Sequence, residues 1–127
     1  MPIRNAKLRE QYRASQNGCE LAPLIRCCNG HGRGLQIHHI LRGPDRHDIL
    51  PNFLLVCEES HRWCHDKPID SRIACWSVKA SKGEFDVATL KKAWKQCPIG
   101  WIEWKLSECT DQRFVTLAIE LIELFTE

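Results

Sequence analysis

Between residues 38 and 65 the chain places two adjacent histidines, an asparagine and two further histidines within a short span, His38-His39, Asn52, His61 and His65. Ile37-His38-His39-Ile40 reads as the end of a short strand. Alternation along a strand sends neighbouring side chains to opposite faces, so the two imidazoles must do different jobs. Glu58-Glu59-Ser60 reads as a helix start with acidic residues in its first turn, which puts His61 and His65 one turn apart on one face. Two imidazoles so spaced can grip one divalent metal ion.

The elements that would position these residues follow from the surrounding pattern. Gly43-Pro44-Asp45 is turn chemistry, and Pro51-Asn52 before the apolar run Phe53-Leu54-Leu55-Val56 marks a second, buried strand, giving a hairpin with a long loop. Upstream, Cys19, Cys27, Cys28 and His31 precede the first strand, with glycines at 30, 32 and 34 for tight turns. His47 lies in the loop and is expected to be exposed.

The stretch from about residue 18 to 66 resembles the HNH endonucleases of the ββα-metal superfamily, in particular small phage- and prophage-encoded members. The resemblance implies an α+β fold with a ββα-metal, zinc-knuckle-like core. It makes His38 a metal ligand, His39 the general base, and Asn52 the residue that orients the base and ties the loop. His61 and His65 become the further metal ligands. Such a site would hold one divalent ion, Mg2+, Mn2+, Ni2+ or Zn2+, on the scissile phosphate while the base activates water. Many HNH proteins also brace the core with a structural zinc held by cysteines upstream of the first strand and before the helix. Here Cys57 matches, but Ser60 stands where its partner is expected. Cys64, one turn on, is the substitute, and Cys19 with Cys28 the upstream pair, with His31 as a further option. Buried thiols are the plain alternative.

Charge supports a nucleic-acid partner, DNA, through its distribution rather than its sum. The 127 residues carry a formal net charge of only +2. Residues 1–46 hold eight Lys/Arg against Glu10, Glu20 and Asp45, a net of +5, whereas residues 108–127 sum to −4. Positive charge beside the histidine pair suits phosphate. Arg33, Arg42, Arg46 and Arg62 flank the histidines and are the expected backbone contacts. Residues 3–14, with Arg4, Lys7, Arg9 and Arg13, are either a basic helix that adds to this surface or a frayed terminus.

The expected organisation is a basic arm over 1–17, a nuclease core over 18–70, and a helical extension over 71–127 packed on it. Ile73, Trp76 and Ala80 recur at helical spacing; Asp86 reads as the cap of a helix carrying Val87, Leu90 and Trp94. Trp101, Ile102, Trp104 and Leu106 are dense enough to imply packing. Phe114, Leu117, Ala118, Leu121, Ile122 and Phe125 form an amphipathic stripe that either covers the core or pairs with a second copy. No apolar run of about eighteen residues and no apolar leader core is present, so a cytoplasmic protein with no membrane partner, its eight cysteines reduced, is expected. A zinc-stabilised DNA-binding module without catalytic activity is the alternative function.

Overall fold

The computed structural model describes residues 2–28 and 34–126, so the expectations for His31 and Arg33 lie outside the described residues. The fold is mixed, with helices arranged about a two-stranded antiparallel sheet. Helix α1 (Ala6–Ser15) starts at Asn5, whose side chain accepts the Leu8 N–H at 3.0 Å. A single turn, α2 (Ala22–Ile25), ends on Arg26 in the left-handed region at φ 54°. Strand β1 (Gln36–His39) pairs with β2 (Phe53–Val56), Gln36 opposite Val56 and His39 opposite Phe53. Between the strands run two 3-10 turns, Gly43–Asp45 and Leu50–Asn52. All four residues of β2 are buried, as an unbroken apolar run requires.

Helix α3 (Glu58–Asp66) follows β2 directly. Its cap is Cys57, whose Sγ accepts the Ser60 N–H at 3.3 Å. Then come α4 (Pro68–Ser81), α5 (Val87–Ala93), α6 (Pro98–Lys105) and α7 (Gln112–Phe125). Helix α4 begins five residues before Ile73, where the periodic pattern of Ile73 and Trp76 starts, because Pro68 takes the first helical position, where its fixed φ and missing N–H cost nothing. Asp86 caps α5 as its side chain accepts the Thr89 N–H at 3.2 Å.

One hydrophobic core runs from Cys19 through Leu54 and Val56 to Leu121, so the C-terminal helices share their interior with the sheet and α3. Trp76 is its centre, fully buried, with the rings of Trp101, Phe85 and Trp94 at 5.3, 6.1 and 6.1 Å. The stripe of α7 buries Phe114, Ala118 and Leu121 against α4 and α6, while Ile119 and Leu124 of the same helix stay exposed. Trp104 departs from the packing expected of its segment. It is 66% exposed, with Lys105 Nζ 4.0 Å above its ring.

The basic arm is docked rather than frayed. Asp48 N–H donates to Ile3 C=O at 2.7 Å, and Ile3 N–H donates to His47 Nδ1 at 2.8 Å. His47 is therefore buried and committed, contrary to its expected exposure, because the arm supplies a donor that the loop sequence does not show. Farther along α1, Tyr12 is buried edge-on to Phe53 at 5.7 Å, donates to Glu20 Oε2 at 2.5 Å and accepts from Lys79 Nζ at 3.0 Å. Lys79 is fully buried and keeps its charge partnered by Glu84 at 2.8 Å, with its Nζ 4.3 Å from the Tyr12 ring centre. Burial pulls its pKa down against these partners. Removing the hydroxyl takes one partner from a buried ammonium, so Tyr12→Phe should cost about 1–3 kcal/mol, read as a lower urea midpoint at unchanged slope.

Candidate functional site

Three clusters of chemically capable side chains lie around the sheet and α3. The first is made of thiols. Cys19, Cys27, Cys28 and Cys57 bring their sulfurs within 4.8 Å of one another, and Cys27 Sγ stands 3.6 Å from Cys19, 3.9 Å from Cys28 and 3.5 Å from Cys57. A tetrahedral zinc with Zn–S bonds of about 2.3 Å has sulfur–sulfur edges of about 3.8 Å, so the four residues fit such an ion. Ser60 lies inside this cluster, its Oγ donating to Cys27 Sγ at 2.6 Å. Burial raises the Cys57 thiol, but its hydrogen bonds with Ser60, and then with Cys27 and Cys19, outweigh it and hold the group at about 7. Burial pushes the Cys27 thiol upward.

The fourth cysteine of this cluster is thus Cys27 and not Cys64, which corrects the sequence-based ligand set. Seven residues along the helix axis are about 10 Å of rise, and that distance carries Cys64 away from Cys57. Instead Cys64 belongs to the second cluster, with His38 of β1 and Cys75 of α4, all three buried and their ligand atoms within 4.8 Å of one another. Hydrogen bonds from Cys75 and His38 hold the Cys64 thiol at about 5 against the cost of burial. Beside this cluster, towards solvent, the His61 ring lies 5.3 Å from that of His38 and 4.8 Å from that of His65.

The His61 and His65 Nε2 atoms are 3.3 Å apart. Two nitrogens about 2.0–2.1 Å from one tetrahedral ion stand about 3.3 Å apart, so the pair has the spacing of shared ligation. Arg42 Nη1 donates to His65 Nδ1 at 2.7 Å, which places the proton of neutral His65 on Nε2, facing His61. Were both imidazoles to hold an ion through Nε2, the His65 proton would sit on Nδ1 and Arg42 would lose its acceptor there. Gln36 holds His61 Nδ1 at 2.7 Å and so sets its ring plane. Burial, together with His38, His65 and Arg42, depresses the His61 pKa.

The third cluster is on the other face of β1, as strand alternation demands. His39 is buried edge-on to Phe53, and its Nε2 meets Asp48 Oδ1 at 2.7 Å. A carboxylate only accepts, so the His39 proton is on Nε2, leaving Nδ1 as the basic nitrogen, to which Arg46 Nε donates at 3.2 Å. Burial lowers the His39 pKa, aided by Arg46 and Arg9 and opposed by Asp48. The Asp48 carboxyl is raised by burial but lowered on balance by the Asn5 N–H, His39 and Arg9. Beside these groups lies a cavity of about 270 Å³ lined by Pro2, Arg4, Arg9, His39, Gly43, Arg46 and Asp48.

Asn52 does half of what its place in the motif implies. Fully buried, it accepts from Leu41 N–H at 2.8 Å and donates to the His47 and Leu41 carbonyls at 3.1 and 3.3 Å, tying the loop. The ring of His39 is instead held by Asp48 and Arg46. Asp48, Cys27, Cys75 and Gln36 were not among the expected site residues; Cys27 left a signal in its place between Cys19 and Cys28, and Asp48 in being an acid between His47 and the apolar Ile49. Arg46 and Arg42 reach the histidines, whereas Arg62 is exposed on α3.

Comparison with known protein families, curated proteins and solved structures yields no match. Among the described residues no helix is long and apolar enough to cross a membrane. What the fold and clusters define is an α+β chain whose Cys and His groups could hold a metal ion such as zinc. If Cys27 completes the thiol cluster, Cys27→Ser should release about one zinc per chain and lower Tm, since structural zinc contributes directly to folding. In cobalt-loaded protein the four-sulfur spectrum should survive Cys64→Ser, and the reverse pattern would restore the sequence-based set.

Proposed function

We propose that this chain is a metal-dependent HNH endonuclease, with a ββα-metal core formed by β1, β2 and α3, that hydrolyses DNA phosphodiester bonds, and that it is of the small phage or prophage type. The observation that carries this reading is the buried His39–Asp48 pair opening onto a cavity lined by Arg4, Arg9 and Arg46. A module that only binds DNA has no use for an imidazole whose tautomer is set by a carboxylate and whose second nitrogen faces an arginine-lined space.

In this reading His39 Nδ1 takes a proton from the attacking water. Asp48, already bonded to Nε2–H, stabilises the imidazolium that results, as the carboxylate of a catalytic triad does. Arg46 moves its N–H from Nδ1 to a phosphate oxygen when substrate enters, and Arg4 and Arg9 hold the strand on the same side. His38, His61 and His65 hold the divalent ion from the other face of β1, at whose end the two histidines lie back to back. When bound, that ion supplies positive charge to the scissile phosphate and the departing oxygen. Asn52 keeps the loop closed so that Asp48 stays on His39. The four-cysteine cluster braces the start of α3 and with it the His61–His65 pair.

Loss of a general base or of the group that sets its tautomer costs about two to four orders of magnitude, so His39→Ala and Asp48→Asn should each lower plasmid nicking by that much while leaving the metal content intact. The base works only when neutral, and its pKa is depressed. Nicking should therefore be constant through neutral pH and fall only below the usual imidazole range. Arg46→Ala removes a cation that opposes protonation and should move this acid limb to higher pH. Full nicking by the His39→Ala protein would end the assignment.

Binding to duplex DNA by the inactive His39→Ala protein should weaken steeply with salt. Arg4→Ala should reduce the log–log slope by about 0.9, the share of one phosphate. An unchanged slope would remove the arm from the DNA surface.

A further inference from the structure

The second cluster lies where the proposed function needs an ion, yet its donors are not those of a magnesium site. His38 comes from β1, Cys64 from α3 and Cys75 from α4, three separate elements that converge with their ligand atoms within 4.8 Å. All three side chains are buried, at 4%, 1% and 0% exposure. We propose that His38, Cys64 and Cys75 form a zinc site, distinct from the four-cysteine cluster, with its fourth position facing His61.

Chemistry selects the ion. Thiolates favour zinc over magnesium or manganese, which prefer oxygen donors. In the bound state both sulfurs are thiolates, any thiol proton still present passing to solvent, and the two negative charges balance the double charge of zinc, so the ion enters the interior as a neutral unit and avoids the cost of a bare buried charge. Three protein ligands and one position left towards solvent is the pattern of catalytic rather than purely structural zinc, and two cysteines with one histidine is a known form of it. The open side is set by burial. Cys75 is enclosed by the core, while the half-buried His61, 5.3 Å from His38 between ring centres, lies on the outer side. The site also staples β1, α3 and α4 together behind the His61–His65 pair. The inference rests on the proposed function only in placing an ion at His38; it changes the ligands that hold the ion and its identity.

The test is metal content and sulfur count in the full chain. Dialysed wild-type protein should hold about two zinc ions per chain, and X-ray absorption should give about three sulfurs per zinc on average, the mean of a four-sulfur and a two-sulfur site. Cys75→Ser should reduce the content to about one zinc and raise the mean to about four sulfurs. About one zinc per wild-type chain with about four sulfurs would overturn the site, as would two zinc ions unaffected by Cys75→Ser. The absorption measurement needs no variant, so poor folding of Cys75→Ser leaves the proposal exposed to refutation. Plasmid nicking is scored separately. Protein that holds both ions and does not nick keeps this site and loses the endonuclease, whereas nicking with the thiol cluster alone filled does the opposite.

Discussion

The carboxylate of Asp48 is the point on which the arm, the inter-strand loop and the end of β1 all depend. It is buried and takes the Asn5 N–H at 2.7 Å, the His39 Nε2–H at 2.7 Å and the charge of Arg9 at 3.2 Å. The Arg9 contact is a charge pairing without the alignment of a hydrogen bond, for Arg9 Nε has no hydrogen-bond partner among the described residues. A buried carboxylate without such donors would protonate or draw in water. With them it stays ionised, and its negative charge fixes the tautomer of His39 while it anchors the chain start. Loop position and base orientation are therefore one electrostatic problem with one solution.

A second buried charge acts in the same way on the far side of α1. Lys79 has no solvent exposure, and it is tolerable there because the Tyr12 hydroxyl and ring face and the Glu84 carboxylate all meet it. Tyr12 in turn shares Glu20 with the Leu55 N–H of β2, which accounts for a backbone donor that the sheet leaves without a strand partner. The arm is thus tied at both ends, at residues 3–5 by the loop and at Tyr12 by α4 and β2. That is why its arginines border the His39 cavity.

The placement of thiols follows from the same economy of burial. Eight cysteines in a chain of this size could all be small core residues, but they do not share the same surroundings. Four meet around Ser60, and two meet His38, each group within the reach of one ion. Cys97 and Cys109 stand apart, half-buried against the helices. Segregation of this kind means that the metal question is decided by a few ångströms of helix rise and not by the number of cysteines.

Much of this was legible in the residues themselves. The apolar run Phe53–Val56, the proline and acidic start signals, and the stripes of α5 and α7 specify their elements because period and capping are local properties of the chain. The opposite facing of His38 and His39 is local too, since it needs only the alternation of a strand. The partners of those side chains were not legible. Cys27 for Cys64 and a buried His47 are choices made by segments far apart in the chain, α3 meeting the segment before β1 and the arm meeting the loop, and Asp48 takes the place expected of Asn52 within a loop that the same arm pins through the Asn5 N–H. Hydrogen bonds and ligand sets depend on distances of a few tenths of an ångström between such segments. Spacing along the chain determines which residues can share a face, and only the packing of one element on another decides which atoms meet.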